Sequence, residues 1–410
     1  MEKNKKNIIV PLLLVGSMNA ILGFALGVNA FFIPFVKQAF HVTTAMSYLI
    51  MLATFSAYLV FGGVAGNILK KAGYKGGMII ALMLMAVGFL IIVPSAKTVN
   101  FSLFLLALFI NGLGQALLTA AYSTYVSIIG PPESAAPRIS FMGICAKIFY
   151  AMASFILAIF IDLANIEITD IITPFYIIAM VLFVMGILYY FSPLPEVKAI
   201  GEIPDEEEKT QYSGLTHGKK SIWQFPHLLL GVVAIFFTVG VEYLALGTIN
   251  DYAYILGLPS PHNYVWYVSI AMIAGYLVGI FLIPKYISQT QALFSSTVAG
   301  ILFSVLILLL PDNISIFMIP LLGLANALLW PAVWPLAIAD LGKFTKTGSA
   351  LLVTGIVGAG IIPLIFGYFA QNFSHQIAYA IGLPAYLFIM YFALWGSKIR
   401  RASKQFLTKG

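Results

Sequence analysis

The chain has 410 residues, 61% of them hydrophobic and only 9% charged, with a mean hydropathy of +0.98. Soluble domains run near 45–50% apolar and about 25% charged, so this composition excludes a soluble fold and places the chain in a bilayer. The net charge of +7 calls for no nucleic-acid partner, because the basic residues are distributed as a topology signal, and the single cysteine, Cys145, excludes an intramolecular disulfide.

A membrane-spanning helix needs about 20 predominantly apolar residues. In chain order the sequence predicts twelve spans: 8–36, 45–69, 77–95, 100–129, 138–161, 172–192, 225–254, 263–284, 290–310, 314–340, 347–370 and 376–396. The first run is too long for a cleaved signal peptide and lacks a small-residue cleavage pattern. An even count puts both termini on one side. With the termini inside, the inner segments hold 19 lysines and arginines and the outer segments only Lys37 and Lys97. Both termini are therefore expected in the cytoplasm, with the chain in the cell (inner or plasma) membrane. The polar interval from Ser192 to Gln224, with EIPDEEEKTQ and THGKK, reads as a flexible linker. The expected organisation is an N-terminal six-helix half (1–192), a cytoplasmic linker (193–224), a C-terminal six-helix half (225–396) and a basic tail (397–410).

Span one carries GFALGVNAFFIP, in which Gly23 and Gly27 permit close helix packing and Asn29 is a candidate cavity donor. After span two comes GNILKKAGYKGG, with Gly66, Gly73 and Lys75 as candidate gating residues. This loop resembles the signature loop of the major facilitator superfamily, although the usual Asp is absent. Span four holds GLGQALLTAAYS (Gly112–Ser123). Span ten repeats its skeleton as GLANALLWPAVW (Gly323–Trp334), pairing Gly112 with Gly323 and Gln115 with Asn326. Equal positions in the two halves imply a parallel repeat about an axis along the membrane normal.

Charges near mid-membrane are costly and need a reason. Lys147 lies about nine residues into span five, on a face of Ser140, Gly143, Tyr150, Ala151 and Ser154 that is small and polar. Glu242 lies inside span seven. An acid and a base in opposite halves could pair and part as the halves rock; alternatively Lys147 serves backbone carbonyls and Glu242 a neighbouring helix. In span ten, Asn326, Trp330 and Trp334 form a column one turn apart, and Gln115, Thr119 and Tyr122 form its counterpart in span four. Indole faces stack on the C–H face of a sugar ring and amides bond hydroxyls, so the column suits a neutral polyhydroxylated ligand. The alternative is that the indoles only pack or anchor. Pro331 and Pro335 loosen the helix where backbone groups can line a cavity.

GVNAFFIPFVKQAF (Gly27–Phe40), TAAYSTYVSIIGPPES (Thr119–Ser134) followed by Arg138, and WPAVWPLAIADLGKFTKTGSALLVTGIVGAGIIP (Trp330–Pro363) are similar to the fucose/glucose/galactose symporter branch of the major facilitator superfamily. The resemblance covers most of the chain and implies an all-α membrane protein with the superfamily's twelve-helix fold. It also implies monosaccharide transport by alternating access, coupled to sodium or protons, in a working monomer. Fucose/proton members carry an Asp in span one and a Glu in span four where this chain has Ala30 and Leu118, so fold and sugar class carry over better than coupling. Glu242 matches an acid of glucose/galactose-type members, some of them sodium-coupled. The site expected is therefore Asn29, Gln115, Tyr122, Asn326, Trp330 and Trp334 for sugar, Glu242 with Lys147 for coupling, and Gly66, Gly73, Lys75 and Arg138 for gating. Uniport, or transport of an acidic sugar or other small polar solute held by Lys147, stays open as an alternative. An enzyme is not expected. The five histidines are scattered, and neither a cofactor, a metal-ligand cluster nor a phosphate-binding glycine loop is indicated.

Overall fold

The computed structural model describes residues 2–42, 46, 49–161, 167–197, 219–259 and 263–399. Among the described residues, ten segments are long and apolar enough to cross a membrane. One of them, Leu49–Lys97, holds two spans, 49–72 and 74–97, parted where Gly73 adopts φ 73°, ψ −178°. That region of backbone space is open essentially to glycine alone. Ala135–Ala158 supplies the twelfth span. An apolar helix is the expected element throughout, because in hydrocarbon each backbone N–H and C=O must be satisfied within its own segment.

Span one runs Glu2–Ala39, span four Phe101–Ile128 and span six Ile172–Phe191. Span seven is Pro226–Ile255, with a proline at the first turn where its missing N–H costs nothing. Span eight is Tyr264–Leu282. Span nine is Gln289–Leu309 and opens on a capping box between Ser288 and Gln291. Span ten is broken into Met318–Asn326 and Leu329–Ile338. Span eleven passes from Thr345–Thr354 through a tight turn at Gly355–Val357 to Gly358–Asn372, and span twelve centres on Gly382–Leu394. Most of the interval expected to be a linker, and most of the basic tail, lie outside the described residues.

The chain packs as two compact units: Met1–Tyr122 with Ile144–Glu196, and Ser123–Gly143 with Val197–Gly410. In the first unit, spans one and five approach until their backbones nearly touch. A Cβ on Gly23 would stand 2.1 Å from the Ala146 carbonyl oxygen, and one on Gly27 2.3 Å from that of Tyr150. Spans two and four meet the same way, with Gly112 against the Thr54 carbonyl oxygen at 2.4 Å.

The second unit repeats both contacts. Span eleven meets span seven through Gly358, whose Cβ would lie 2.0 Å from the Phe236 carbonyl oxygen. Span ten meets span eight through Gly323, 2.7 Å from Val268 Cγ1. Gly112 and Gly323, paired by the sequence repeat, thus do the same work in their own halves. In the one–five pair the glycines that meet a backbone carbonyl lie on span one, and in the seven–eleven pair on span eleven.

The segment 123–143 belongs to the second unit through specific bonds. Gln289 Nε2 donates to the carbonyls of Pro132 (2.6 Å) and Glu133 (3.1 Å), and the Thr124 hydroxyl donates to Ser349 Oγ (2.5 Å). Ala136 packs with Ile283, Ala292 and Leu328.

Gly23→Ala and Gly358→Ala should each destabilise the protein by about 1–3 kcal/mol, because the added methyl must push a backbone aside. Gly63→Ala and Gly247→Ala, where a Cβ meets nothing within 4 Å, should leave the melting temperature unchanged. Thermal melts of the detergent-solubilised variants check this ordering.

Candidate functional site

The rim at Gly73 is built from reciprocal helix caps. Beyond the Gly73 turn, the N–H groups of Tyr74 and Lys75 open span three, and both donate to the Glu196 carboxylate, at 2.6 Å and 3.0 Å. In return Lys75 Nζ donates to the carbonyl of Ser192 (2.8 Å), the C-terminal cap of span six. An anion therefore sits at a helix N-terminus and a cation at a helix C-terminus, the arrangement the helix dipole favours. Glu196, from the segment after span six, is the acid that caps this turn. Of the expected gating residues, Gly73 and Lys75 meet here, while Gly66 is buried within span two.

Arg138 works on its own, in the second unit. Its guanidinium donates to the carbonyls of Val126 (2.8 Å), Ser127 (2.9 Å) and Pro131 (3.1 Å) and to Ser134 Oγ (2.6 Å). Val126 and Ser127 belong to the last turn of span four, whose carbonyls have no intrahelical donor. Further along the second unit, Lys219 Nζ stands 4.0 Å from the centre of the Phe225 ring. Burial there pushes its ammonium below the ordinary lysine value, and the charge of Asp340 draws it partly back.

In the first unit a polar chain crosses the spans. Tyr58 donates to Gln115 Oε1 (3.2 Å), Gln115 Nε2 to Asn111 Oδ1 (2.5 Å), and Asn111 Nδ2 to the Met85 carbonyl (3.0 Å). Gln115 is wholly enclosed, and Tyr122 is buried two turns further along the same helix. Lys147 is only 7% exposed, with Nζ 5.5 Å from the centre of the Tyr150 ring one turn on, within cation–π range. The side chain of Asn29 lies outside the described residues.

The second unit holds the tryptophans. Pro331 cannot donate to the Ala327 carbonyl, and its ring crowds that group; span ten breaks at Ala327–Leu328. Just past the break, the Trp330 and Trp334 rings lie 5.0 Å apart at 32°. Trp334 is 0% exposed, while Trp330 keeps partial exposure. Asn326 ends the first segment of the span. Its Oδ1 accepts from the Tyr386 hydroxyl (2.6 Å) and its Nδ2 donates to the Val241 carbonyl (3.0 Å). Val241 immediately precedes Glu242, which is buried at 9% exposure. The structure thus brings Asn326, the tryptophan pair and the backbone bearing Glu242 together, and keeps Gln115, Tyr122 and Lys147 in the other unit.

Sequence reasoning missed Asn111, Tyr58, Tyr386 and Glu196. Asn111 was within reach, being an amide one turn before Gln115 in an apolar run. The tyrosines offered no signal, since an isolated tyrosine in a span reads equally as packing. Glu196 follows span six in a stretch read only as linker.

Residues 15–355 match the Major Facilitator Superfamily. A glucose/galactose transporter of Brucella abortus biovar 1 (strain 9-941) is 28% identical over 390 residues, covering 92% of this chain and 91% of its own length. The L-fucose-proton symporter of Escherichia coli (strain K12) is 23% identical over 94% of this chain and 92% of its own. Among solved structures, the Major Facilitator Superfamily transporter FucP in the outward conformation superposes with a TM-score of 0.78 at 22% identity. The superposition covers 95% of this chain and 99% of that one.

Glu196→Ala strands two N–H groups and should cost about 1–3 kcal/mol, with Glu196→Gln losing less. Arg138→Lys should also lower the melting temperature, because an ammonium cannot span the three carbonyls that the guanidinium fork reaches together. Melts paired with limited proteolysis at the Gly73 turn test both.

Proposed function

The chain belongs to the major facilitator superfamily, and we propose that it is a secondary transporter of a monosaccharide of the glucose/galactose or fucose type, working by alternating access and driven by sodium or protons. The observation that carries this reading is the break in span ten, which sets a partly exposed indole, Trp330, beside an enclosed one and one turn from an amide. An aromatic face with a neighbouring amide matches the alternating apolar and hydroxyl surfaces of a pyranose. The named activities of the similar proteins from Brucella abortus and Escherichia coli agree with that chemistry.

In this reading Trp330 is the stacking surface and Trp334 braces it from behind. Asn326 keeps one N–H and one lone pair beyond its protein bonds. Glu242 carries the coupling ion, since Ala30 and Leu118 cannot hold a proton. Gly66, Gly73 and Lys75 set the gating geometry in the first unit, and Arg138 does so at the end of span four in the second. The strong inner bias of lysine and arginine supports cytoplasmic termini in this reading, with the protein in the cell membrane. It works as a monomer, with no bound cofactor. A second reading rests on Lys147: a buried ammonium suits a carboxylate, as in an acidic sugar, or replaces the coupling ion in a uniporter.

Uptake into proteoliposomes decides between these readings. Labelled glucose, galactose, fucose and N-acetylglucosamine are offered with an inward sodium gradient, an inward proton gradient, or neither. Accumulation of one sugar under one gradient is expected, and no flux of any of them sinks the substrate assignment. Glu242→Gln should abolish accumulation yet spare exchange of sugar across the membrane; unchanged accumulation removes Glu242 from coupling. Trp330→Ala should raise the half-saturating sugar concentration roughly 2- to 12-fold, the value of one aromatic contact. Trp334→Phe should lower the melting temperature more than it changes sugar affinity.

A further inference from the structure

The amides of Gln115 and Asn326 hold equivalent places in the repeat, and each accepts a hydrogen bond from a tyrosine hydroxyl. Beyond that they diverge. Gln115 passes through Asn111 to the Met85 carbonyl on span three. Asn326 goes directly to span seven, at Val241, one residue before Glu242. The Val241 carbonyl sits inside a continuous helix, where the N–H of Ala245 is already due to it, so the Asn326 amide takes its second lone pair. Such a bond is not needed to satisfy the carbonyl; it fixes where that stretch of span seven lies relative to span ten.

The tyrosine is seated with equal definition. Tyr386 is 0% exposed, and its ring passes span nine at Gly300, where a Cβ would stand 2.3 Å from its Cε1. Three elements therefore hold the Asn326 amide: span twelve through Tyr386, span nine through the notch at Gly300, and span seven through Val241. On the other side of Asn326 the helix breaks and Trp330 follows. Packing alone would be met as well by an apolar side chain, because a buried hydrogen-bonded pair gains little over apolar groups of the same shape.

We infer that Tyr386 and Asn326 are positioning residues that tie the end of span ten's first segment, from which the tryptophan-bearing segment continues, to the backbone carrying Glu242, so that sugar engagement and ion engagement report to each other through this bond. The inference rests on the proposed roles of Trp330 and Glu242. A sugar that shifts the segment beyond the break moves the Asn326 amide, and with it Val241. By linkage, an ion held at Glu242 must change sugar affinity by the same factor that the sugar changes ion affinity.

The test measures that factor. D-Galactose and L-fucose binding to the purified full-length protein is followed by tryptophan fluorescence. Titrations are run with sodium or choline chloride at fixed pH, and again at low and high pH, and the ratio of the two dissociation constants is the coupling. Tyr386→Phe keeps the ring and removes the hydroxyl. Gly300→Ala changes no hydrogen-bonding group but crowds the ring out of place. Both should reduce the coupling factor by about 3- to 10-fold, the value of one buried hydrogen bond, while sugar affinity without the ion stays within about twofold. Melting and size-exclusion profiles confirm that each variant is folded.

If both variants weaken ion-free sugar binding and leave the coupling intact, Tyr386 serves only to orient the Asn326 amide toward the sugar and the inference is overturned. Coupling and affinity both unchanged overturn it equally, leaving Tyr386 a packing residue. Glu242→Gln is measured alongside. Should it keep the native coupling while Tyr386→Phe loses it, the assignment of Glu242 falls, and the endpoint of the relay with it. Loss of coupling in both places the relay and the acid on one path.

Discussion

A polar group in hydrocarbon has no water to turn to, so leaving it without a partner in the protein is costly. That constraint explains the least obvious choices in this chain. The last carbonyls of span four are met by the Arg138 guanidinium, and the end of span six by Lys75. Gln376 Nε2 donates to the carbonyls of Ile307 (2.7 Å) and Leu310 (2.6 Å) at the end of span nine. The repeat-related amides Gln115 and Asn326 follow the same rule, each taking a tyrosine as donor and passing its own N–H to a further acceptor. Once the helix ends and amides are satisfied, the freedom left to the spans is to pack, and glycines decide how closely they do so.

The repeat shows which features the architecture requires and which are free to vary. Close contacts between the first and fifth spans of a half, and between its second and fourth, recur in both halves, because they set the distances between helix axes. The residue supplying the space is free to move: Gly23 on span one does in the first half what Gly358 on span eleven does in the second. Polar partners are freer still. Gln115 and Asn326 occupy the same place, yet one reaches span three and the other span seven. Tyr58 comes from the second span of its half and Tyr386 from the sixth. A duplicated scaffold with diverged polar wiring lets the two halves hold different chemistry, with the indoles and the buried acid both in the second unit.

The rim at Gly73 shows how a function passes between segments. The loop resembles a superfamily signature without its acid, and the acid arrives from beyond span six as Glu196. Only the charge at the helix N-terminus matters to the backbone it caps, not the segment that delivers it.

Twelve spans, their boundaries to within a few residues for most, the break near Pro331, the turn at Gly73 and the close packing at Gly23 and Gly27 were all legible in the sequence. Each follows from a local rule: length in an apolar run, a proline that cannot donate, a backbone conformation open to glycine, and small residues spaced one turn apart. The indole column was legible for the same reason, since residues four apart share a helix face. Partner choice was not. That Asn326 would take Tyr386 and Val241, that Arg138 would close the end of span four, and that residues 123–143 would pack with the second unit depend on approaches between segments up to 225 positions apart, as Ser349 is from Thr124. A hydrogen bond is set by distance and direction in space, and a one-dimensional pattern carries neither. The sequence by itself determined the elements and the polar residues they would carry into the membrane; the tertiary structure alone decided which of those residues satisfy each other and which keep capacity for a ligand.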